Sequence, residues 1–431
     1  MDEAVDPAPG GHRRRPRVAL YGHDTCGLGH LRRNLALAAA MRAGASAPDV
    51  LVLSGSSQAQ RFPRPDGVEL VVLPTVVKSS DGSYAAGALD VPLEDVVGLR
   101  SAIASGVLAA WAPDLLVVDK VPGGFGGELL DALADLREAG TRIVLGLRDV
   151  LDDPVTTAAE WERDRGARAL DRFYDEVWVY GDAAVHDLRE DLRLRADQAR
   201  RTRFLGYLAQ GRPEAAAEPL PRRTTGTRTV VASVGGGGDG ADLARALLAA
   251  PLPTGVDLVL LPGPFAGEAL REDLAAAGAT RPDLHVVGFS DAVGAWVAEA
   301  DAVVCMGGYN SVAEVLATDT PALVVPRTRP RREQQVRADG MAAHGLVDVG
   351  TADPGRIGDW IAATLADPRA RARSAAARGG AALDGLAGVT RRTEELLRPR
   401  VARPRAVPDL VAVPAPHPTD VTTDRSVPRA C

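Results

Sequence analysis

Two linked segments decide how this chain folds: Asp301-Ala-Val-Val-Cys-Met-Gly-Gly-Tyr-Asn-Ser-Val-Ala-Glu314 and Pro321-Ala-Leu-Val-Val-Pro-Arg-Thr-Arg-Pro-Arg-Arg-Glu-Gln-Gln335. The apolar runs 301–306 and 321–326 predict strands, and the polar, helix-compatible sequence after each predicts a strand–turn–helix unit. Gly307 and Gly308 let the backbone approach a ligand closely. The helix start that follows offers free N–H groups and partial positive charge, which suits a diphosphate. Ser311 and Glu314 fit a capping box equally well, with the serine as cap. Glu333, Gln334 and Gln335 stand just beyond a strand, where open α/β sheets bind ligands.

Working outward, short β-rich runs alternate with alanine- and leucine-rich segments along most of the chain. Strands are expected at 17–22, 49–54, 68–73, 115–119, 142–147, 176–181 and 202–206. A second set is expected at 228–234, 257–262, 284–288, 301–306, 321–325 and 346–349. Regular βαβ alternation implies parallel sheets covered by helices on both faces. The expected organisation is a disordered leader over 1–16, a first Rossmann-like domain over 17–207 and a linker over 208–227. A second domain over 228–398 and a disordered, proline-rich tail over 399–431 follow.

Composition narrows the function. A formal charge of −7 and a pI near 5.6 give no reason to expect nucleic acid. Cys26, Cys305 and Cys431 are far apart, without metal-ligand spacing, and suit a reducing compartment. The first residues lack the apolar core of a signal peptide, and no apolar run reaches the roughly 18 residues of a membrane span. A cytoplasmic protein is expected, with peripheral membrane contact left open. Lys78 and Lys120 are the only lysines in an arginine-rich chain. Both follow strand-like runs, which marks them as candidates for a compact ammonium that arginine does not imitate.

Two further glycine loops matter. The first, Tyr21-Gly-His-Asp-Thr-Cys-Gly-Leu-Gly-His30, joins the first strand to a helix and holds two of the seven histidines. His23, Asp24 and His30 lack a third ligand at recognisable spacing, so no metal site is expected. The second, Ser233-Val-Gly-Gly-Gly-Gly-Asp-Gly240, formally contains G-x-G-x-x-G. The acidic residue that a dinucleotide would need at the end of the next strand is missing, since that run ends in Leu261-Pro-Gly-Pro264. There is no G-x-x-x-x-G-K and no G-x-S-x-G, which removes P-loop and serine-hydrolase readings.

The stretch Gly308-Tyr-Asn-Ser311-x-x-Glu314, then 321–326 and Glu333-Gln-Gln335, resembles the donor-sugar signature of GT-B glycosyltransferases. It is similar to that of the plant secondary-metabolite UDP-glycosyltransferases. It is closer to the bacterial N-acetylglucosaminyltransferase that makes lipid II, of glycosyltransferase family 28, and to related bacterial transferases. The resemblance implies an α/β fold of GT-B type, two Rossmann-like parallel-sheet domains facing across a cleft. It implies that Gly307, Gly308, Asn310 and Ser311 hold the diphosphate and Glu314 the ribose. Glu333, Gln334 and Gln335 would hold the sugar, Gly236 and Gly237 would face the phosphates, and Phe289 would lie by the nucleobase or simply pack in the core. Met306 departs from the plant signature, which has a phosphate-binding histidine there; Arg327 is the candidate replacement.

On the acceptor side the loop with His23 and Gly29 resembles the Gly-Gly-His loop of these transferases, and His30 matches the position of the histidine that acts as base in some of them. Asp119, at the end of another strand of the same domain, is the candidate to orient it, Asp24 is the reserve base, and Lys78 and Lys120 are expected to line the acceptor side; His30 also fits a purely structural role. An imidazole suits removal of a hydroxyl proton at neutral pH. The expected activity is inverting, metal-independent transfer of a hexose or N-acetylhexosamine from a nucleotide sugar, UDP-linked, to a small-molecule or lipid-linked hydroxyl acceptor. No cofactor is expected beyond that co-substrate. A UDP-N-acetylglucosamine 2-epimerase-like enzyme and a non-catalytic nucleotide-sugar-binding protein are the alternatives.

Overall fold

The computed structural model describes residues 14–23, 29–78, 83–211, 218–224, 226–235, 239–263, 266–288, 290 and 292–398. Asp24, Gly236, Gly237, Phe289, the side chain of Lys78, most of the expected leader and the whole expected tail lie outside the described residues.

The strands in chain order are β1 (Arg17–Gly22), β2 (Asp49–Ser54), β3 (Val68–Val72), β4 (Val76–Lys78), β5 (Tyr84–Ala86), β6 (Leu115–Asp119), β7 (Arg142–Arg148), β8 (Glu176–Tyr180) and β9 (Thr202–Phe204). They continue as β10 (Arg228–Ser233), β11 (Val256–Leu261), β12 (Leu284–Val286), β13 (Ala302–Cys305), β14 (Ala322–Val324) and β15 (Asp348–Val349). Each expected strand is present, with small differences at the ends. The antiparallel hairpin β4–β5 was not expected from the sequence, because its three-residue strands are too short to show a period.

The first sheet runs β3-β2-β1-β6-β7-β8-β9 and the second β12-β11-β10-β13-β14-β15, with all pairings parallel. Both are doubly wound, and the strand order reverses beside β1 in one and beside β10 in the other. Central strands such as Leu115–Asp119 and Val256–Leu261 are buried along their whole length, since helices cover both faces. The two switch points, β1/β6 and β10/β13, are where such sheets place ligands. Segments after β1, β10 and β13 accordingly line the site, joined by residues at the ends of β7, β11, β12 and β14.

The last helix, Gly385–Leu397, packs against the first helix, Gly29–Arg42. Thr390 donates to the Ala40 carbonyl (2.8 Å), Ser46 donates to Glu394 (2.8 Å), and Arg392 is ion-paired with Glu176 on β8. Part of the stretch expected as linker is tied to the second sheet. Trp296 donates to the Glu218 carbonyl (2.8 Å), and Arg223 pairs with Asp257 on β11 (2.5 Å). Among the described residues no helix is long and apolar enough to cross a membrane.

The two sheets are joined by a deeply buried ion pair. Arg337, in the helix Glu333–Ala343, donates to both oxygens of Asp149, which follows β7, at 2.8–3.0 Å. The arginine also donates to the carbonyls of Gly307 (3.1 Å) and Val150 (3.3 Å), so one guanidinium connects the glycine turn after β13 to the first sheet.

Candidate active site

A cavity of about 290 Å³ lies in the cleft, lined by residues from both halves. Gly29, His30, Arg32, Arg33 and Arg148 come from the first sheet's side. Ser233, Gly235, Asp239, Gly308, Asn310, Ser311, Glu314, Arg327, Glu333 and Gln334 come from the second.

On the first wall, His30 stands in the first turn of the helix after β1, and Asp119 is the last residue of the neighbouring strand β6. His30 Nδ1 lies 2.7 Å from Asp119 Oδ2, and Arg33 donates to that same oxygen at 2.5 Å. Burial alone would raise the Asp119 carboxyl, but the Arg33 guanidinium and His30 outweigh it and hold Asp119 well below the usual carboxylate range. An ionised Asp119 accepts from Nδ1–H, so the neutral imidazole carries its lone pair on Nε2. The His23 ring lies 4.4 Å from that of His30, centroid to centroid. Burial, with His30 and Lys120 nearby, pushes His23 well below an ordinary imidazole, which keeps it neutral beside the pair.

On the second wall, β13 ends in a sharp turn. Gly307 has φ 86°, and a Cβ there would fall 2.7 Å from Val324, so this position needs glycine. Gly308 is the N-cap of the helix Tyr309–Leu316, and no side chain caps that helix. The capping box is thereby corrected: Ser311 is the third residue inside the helix and does not cap it. The sequence spacing allowed a cap because it cannot tell which residue begins the helical turn. A Cβ on Gly308 would meet nothing within 4 Å, so the first N–H groups of this helix open onto the cavity. Gly235, with φ 82°, comes from the loop after β10 and faces Met306.

Glu314 is buried and ion-paired with Arg32 from the opposite wall, and Asn310 donates to the Gly29 carbonyl at 3.2 Å. Arg327 pairs with Asp239 (2.7 Å) and Glu333 (2.6 Å), so the candidate replacement for the missing histidine is already neutralised by two carboxylates. Glu333 keeps one oxygen on Arg327, while its buried Oε2 accepts no hydrogen bond from the described residues. Gln334 Oε1 accepts from the Arg327 backbone N–H at 3.1 Å. Gln335 does not line the cavity; it donates to Asp339 on its own helix (2.7 Å), because one residue further along the helix turns it away.

The structure thus brings together His30, Asp119, Gly29, Gly308, Asn310, Ser311, Glu314, Arg327, Glu333 and Gln334. Lys120 follows Asp119 directly at the rim of the first sheet, whereas Lys78 ends β4 in the hairpin. Sequence reading missed Arg32, Arg33, Arg148 and Asp239. In a chain so rich in arginine, no spacing distinguishes the few that face a cleft. Among the described residues no group of three or more His, Cys, Asp or Glu could hold a metal.

Two doubly wound sheets with facing switch points around one cavity define the GT-B fold, shared with solved glycosyltransferases. The glycotransferase of kitacinnamycin is 18% identical, with 89% of this chain and 99% of that chain aligned at a TM-score of 0.59. For MurG of Acinetobacter baumannii the values are 16%, 88%, 100% and 0.54. A proposed UDP-N-acetylglucosamine 2-epimerase from Listeria monocytogenes gives 12%, 87%, 94% and 0.61. At these identities the likeness is one of fold.

The second half gives a more specific match: residues 232–352 match the Glycosyltransferase family 28 C-terminal domain. A sequence relative is the UDP-N-acetylglucosamine--N-acetylmuramyl-(pentapeptide) pyrophosphoryl-undecaprenol N-acetylglucosamine transferase of Clavibacter michiganensis subsp. michiganensis. It is 36% identical over 127 residues, which are 28% of this chain and 34% of the relative. The match therefore spans about a third of that relative's length.

Proposed function

We propose that this protein is a glycosyltransferase that moves a hexose or N-acetylhexosamine from a UDP-linked sugar to a hydroxyl acceptor, with inversion and without an obligatory metal. The observation that carries this reading is the placement of the His30–Asp119 pair and the uncapped start of the helix Tyr309–Leu316 around one cavity. The family of the donor half supports the reading. The acceptor, a small metabolite or a lipid-linked hydroxyl, meets the first wall.

In this mechanism the acceptor O–H gives its proton to His30 Nε2 as its oxygen attacks C1. The C1–oxygen bond to the diphosphate breaks on the opposite face, which inverts C1, and UDP leaves. Asp119 stabilises the imidazolium that forms. The N–H groups of Tyr309, Asn310 and Ser311 meet the charge growing on the diphosphate, a role that fixed dipoles fill without a metal. Glu314 holds the ribose hydroxyls, and the open Oε2 of Glu333 accepts from a sugar hydroxyl. The nucleotide sugar is a co-substrate, and no cofactor is required.

The test is calorimetric binding of UDP, dTDP, GDP and NAD, with magnesium and with chelator, followed by incubation with UDP-glucose and UDP-N-acetylglucosamine. The expected result is UDP binding that survives chelation and is lost in Glu314→Ala, with UDP released only when an acceptor is present. Binding of NAD alone would overturn the donor site. Conversion of UDP-N-acetylglucosamine at C2 without transfer would establish the epimerase instead. Binding without any turnover would leave a nucleotide-sugar-binding protein.

A further inference from the structure

Two cations at the rim of the first sheet have no ion-pair partner among the described residues. Lys120 follows β6 and Arg148 ends β7, and the two strands are neighbours, with the Lys120 N–H donating to the Gly146 carbonyl at 2.8 Å. Arg148 lines the cavity, and its buried Nε has no hydrogen-bond partner among the described residues. The carboxylates that act on them, Asp119 and Glu160 on Lys120 and Glu333 and Asp149 on Arg148, make their direct ion pairs with other arginines: Arg33, Arg331, Arg327 and Arg337. Both cations therefore lack a direct ion-pair contact, and the buried Arg148 Nε in the cavity wall is a donor that a bound anion would satisfy. Lys120 also has φ 69°, in the left-handed region that few non-glycine residues adopt.

We infer that Lys120 and Arg148 form a second anion subsite, separate from the donor diphosphate site, which takes a carboxylate or phosphate borne by a substrate. This rests on the transferase reading only for the word substrate; the subsite stands on the buried Arg148 Nε in the cavity wall and on two neighbouring cations without a direct ion pair. The anion would belong to the acceptor or to the transferred sugar, since Arg148 shares the cavity with Glu333 and Gln334. Burial, with Arg148 and Arg331 close by, pushes the Lys120 ammonium down to about 8, so anion binding at this subsite weakens above that pH.

The experiment titrates inorganic phosphate and pyrophosphate into the full chain saturated with UDP. Binding is expected, weakened tenfold or more by Arg148→Met and by Lys120→Met and largely kept by Arg148→Lys, with UDP affinity unchanged. Both Met variants should melt at or above the wild-type temperature, because an unpaired charge is removed. No binding to the UDP-saturated protein, binding indifferent to both substitutions, or Met variants that melt well below wild type would overturn the subsite. Failure of UDP itself to bind would sink the donor reading, and the same comparison on the unliganded protein would still decide the subsite. Exclusion of phosphate by UDP-glucuronate but not by UDP-glucose would place the anion on the sugar. Retention with both would place it on the acceptor.

Discussion

Arg32 and Glu314 are ion-paired across the cleft, so the carboxylate proposed to hold the ribose is engaged by the opposite wall before any donor arrives. Arg32 is about a third exposed, whereas Glu314 is buried. Pairs with one exposed partner contribute about 0.2–1 kcal/mol. Arg32→Met should therefore strengthen UDP binding by roughly 1.5- to 5-fold, while Glu314→Ala should abolish it. Calorimetry at low and high salt reads both. A weaker-binding Arg32→Met would show that the arginine itself contacts the nucleotide.

Removal of the base should separate chemistry from binding. His30→Ala should lower turnover by about 10²–10⁴-fold and leave UDP affinity within a few-fold of wild type. Asp119→Asn should also lower turnover, since the amide favours the other imidazole tautomer. Single-turnover rates alongside calorimetry test this, and loss of UDP binding in His30→Ala would assign the histidine to the donor.

Acid stability follows from the same carboxylate. The folded-state pKa of Asp119 is depressed, so its stabilising contribution is present above the unfolded value of about 3.9 and is lost as pH falls through the folded value. Asp119→Asn should narrow the gap in melting temperature between pH 7 and pH 3. Lys120 acts in the opposite sense: its folded value of about 8 lies below the ordinary ammonium value, so stability rises with pH between the two. Melting curves of Lys120→Met should show a gain at pH 7 that shrinks towards pH 10.

The buried Arg337–Asp149 pair should dominate the stability of the junction. Arg337→Leu leaves Asp149 buried without a counter-charge and should cost about 3–5 kcal/mol, whereas the double change Arg337→Leu, Asp149→Leu should recover most of it. Urea unfolding measures this, and additive losses would refute the coupling.

The two glycines before the donor helix should respond differently to one methyl group. Gly307→Ala forces a left-handed residue against Val324 and should destabilise the fold by at least about 1–2 kcal/mol. Gly308→Ala meets open space, so it should fold normally and weaken UDP binding, because its methyl enters the cavity. Melting temperatures and calorimetry on the two variants separate these effects.

Much of this architecture is written locally. The βαβ alternation, the strands Arg17–Gly22 and Leu115–Asp119, and the glycine turns at 235 and 307 follow from side-chain period and backbone freedom, properties of neighbours in the chain. The His30–Asp119 pairing was legible too, because strand order in a doubly wound sheet brings the ends of its first and fourth strands together. The hairpin β4–β5 was not, since three residues carry no period.

Partner choice among charged side chains belongs to the tertiary structure. The sequence offered Arg327 for phosphate and Gln335 for sugar, yet Arg327 is held by Asp239 and Glu333, and Gln335 turns along its own helix. Residues from Gly29 to Gln334 meet in one cleft, and only their packing decides which arginine finds a carboxylate and which is left open. Local sequence determines where the glycine turns fall, because they depend on a few adjacent dihedral angles. The compensation of charge across the cleft depends on distances between segments hundreds of residues apart, which no local pattern encodes.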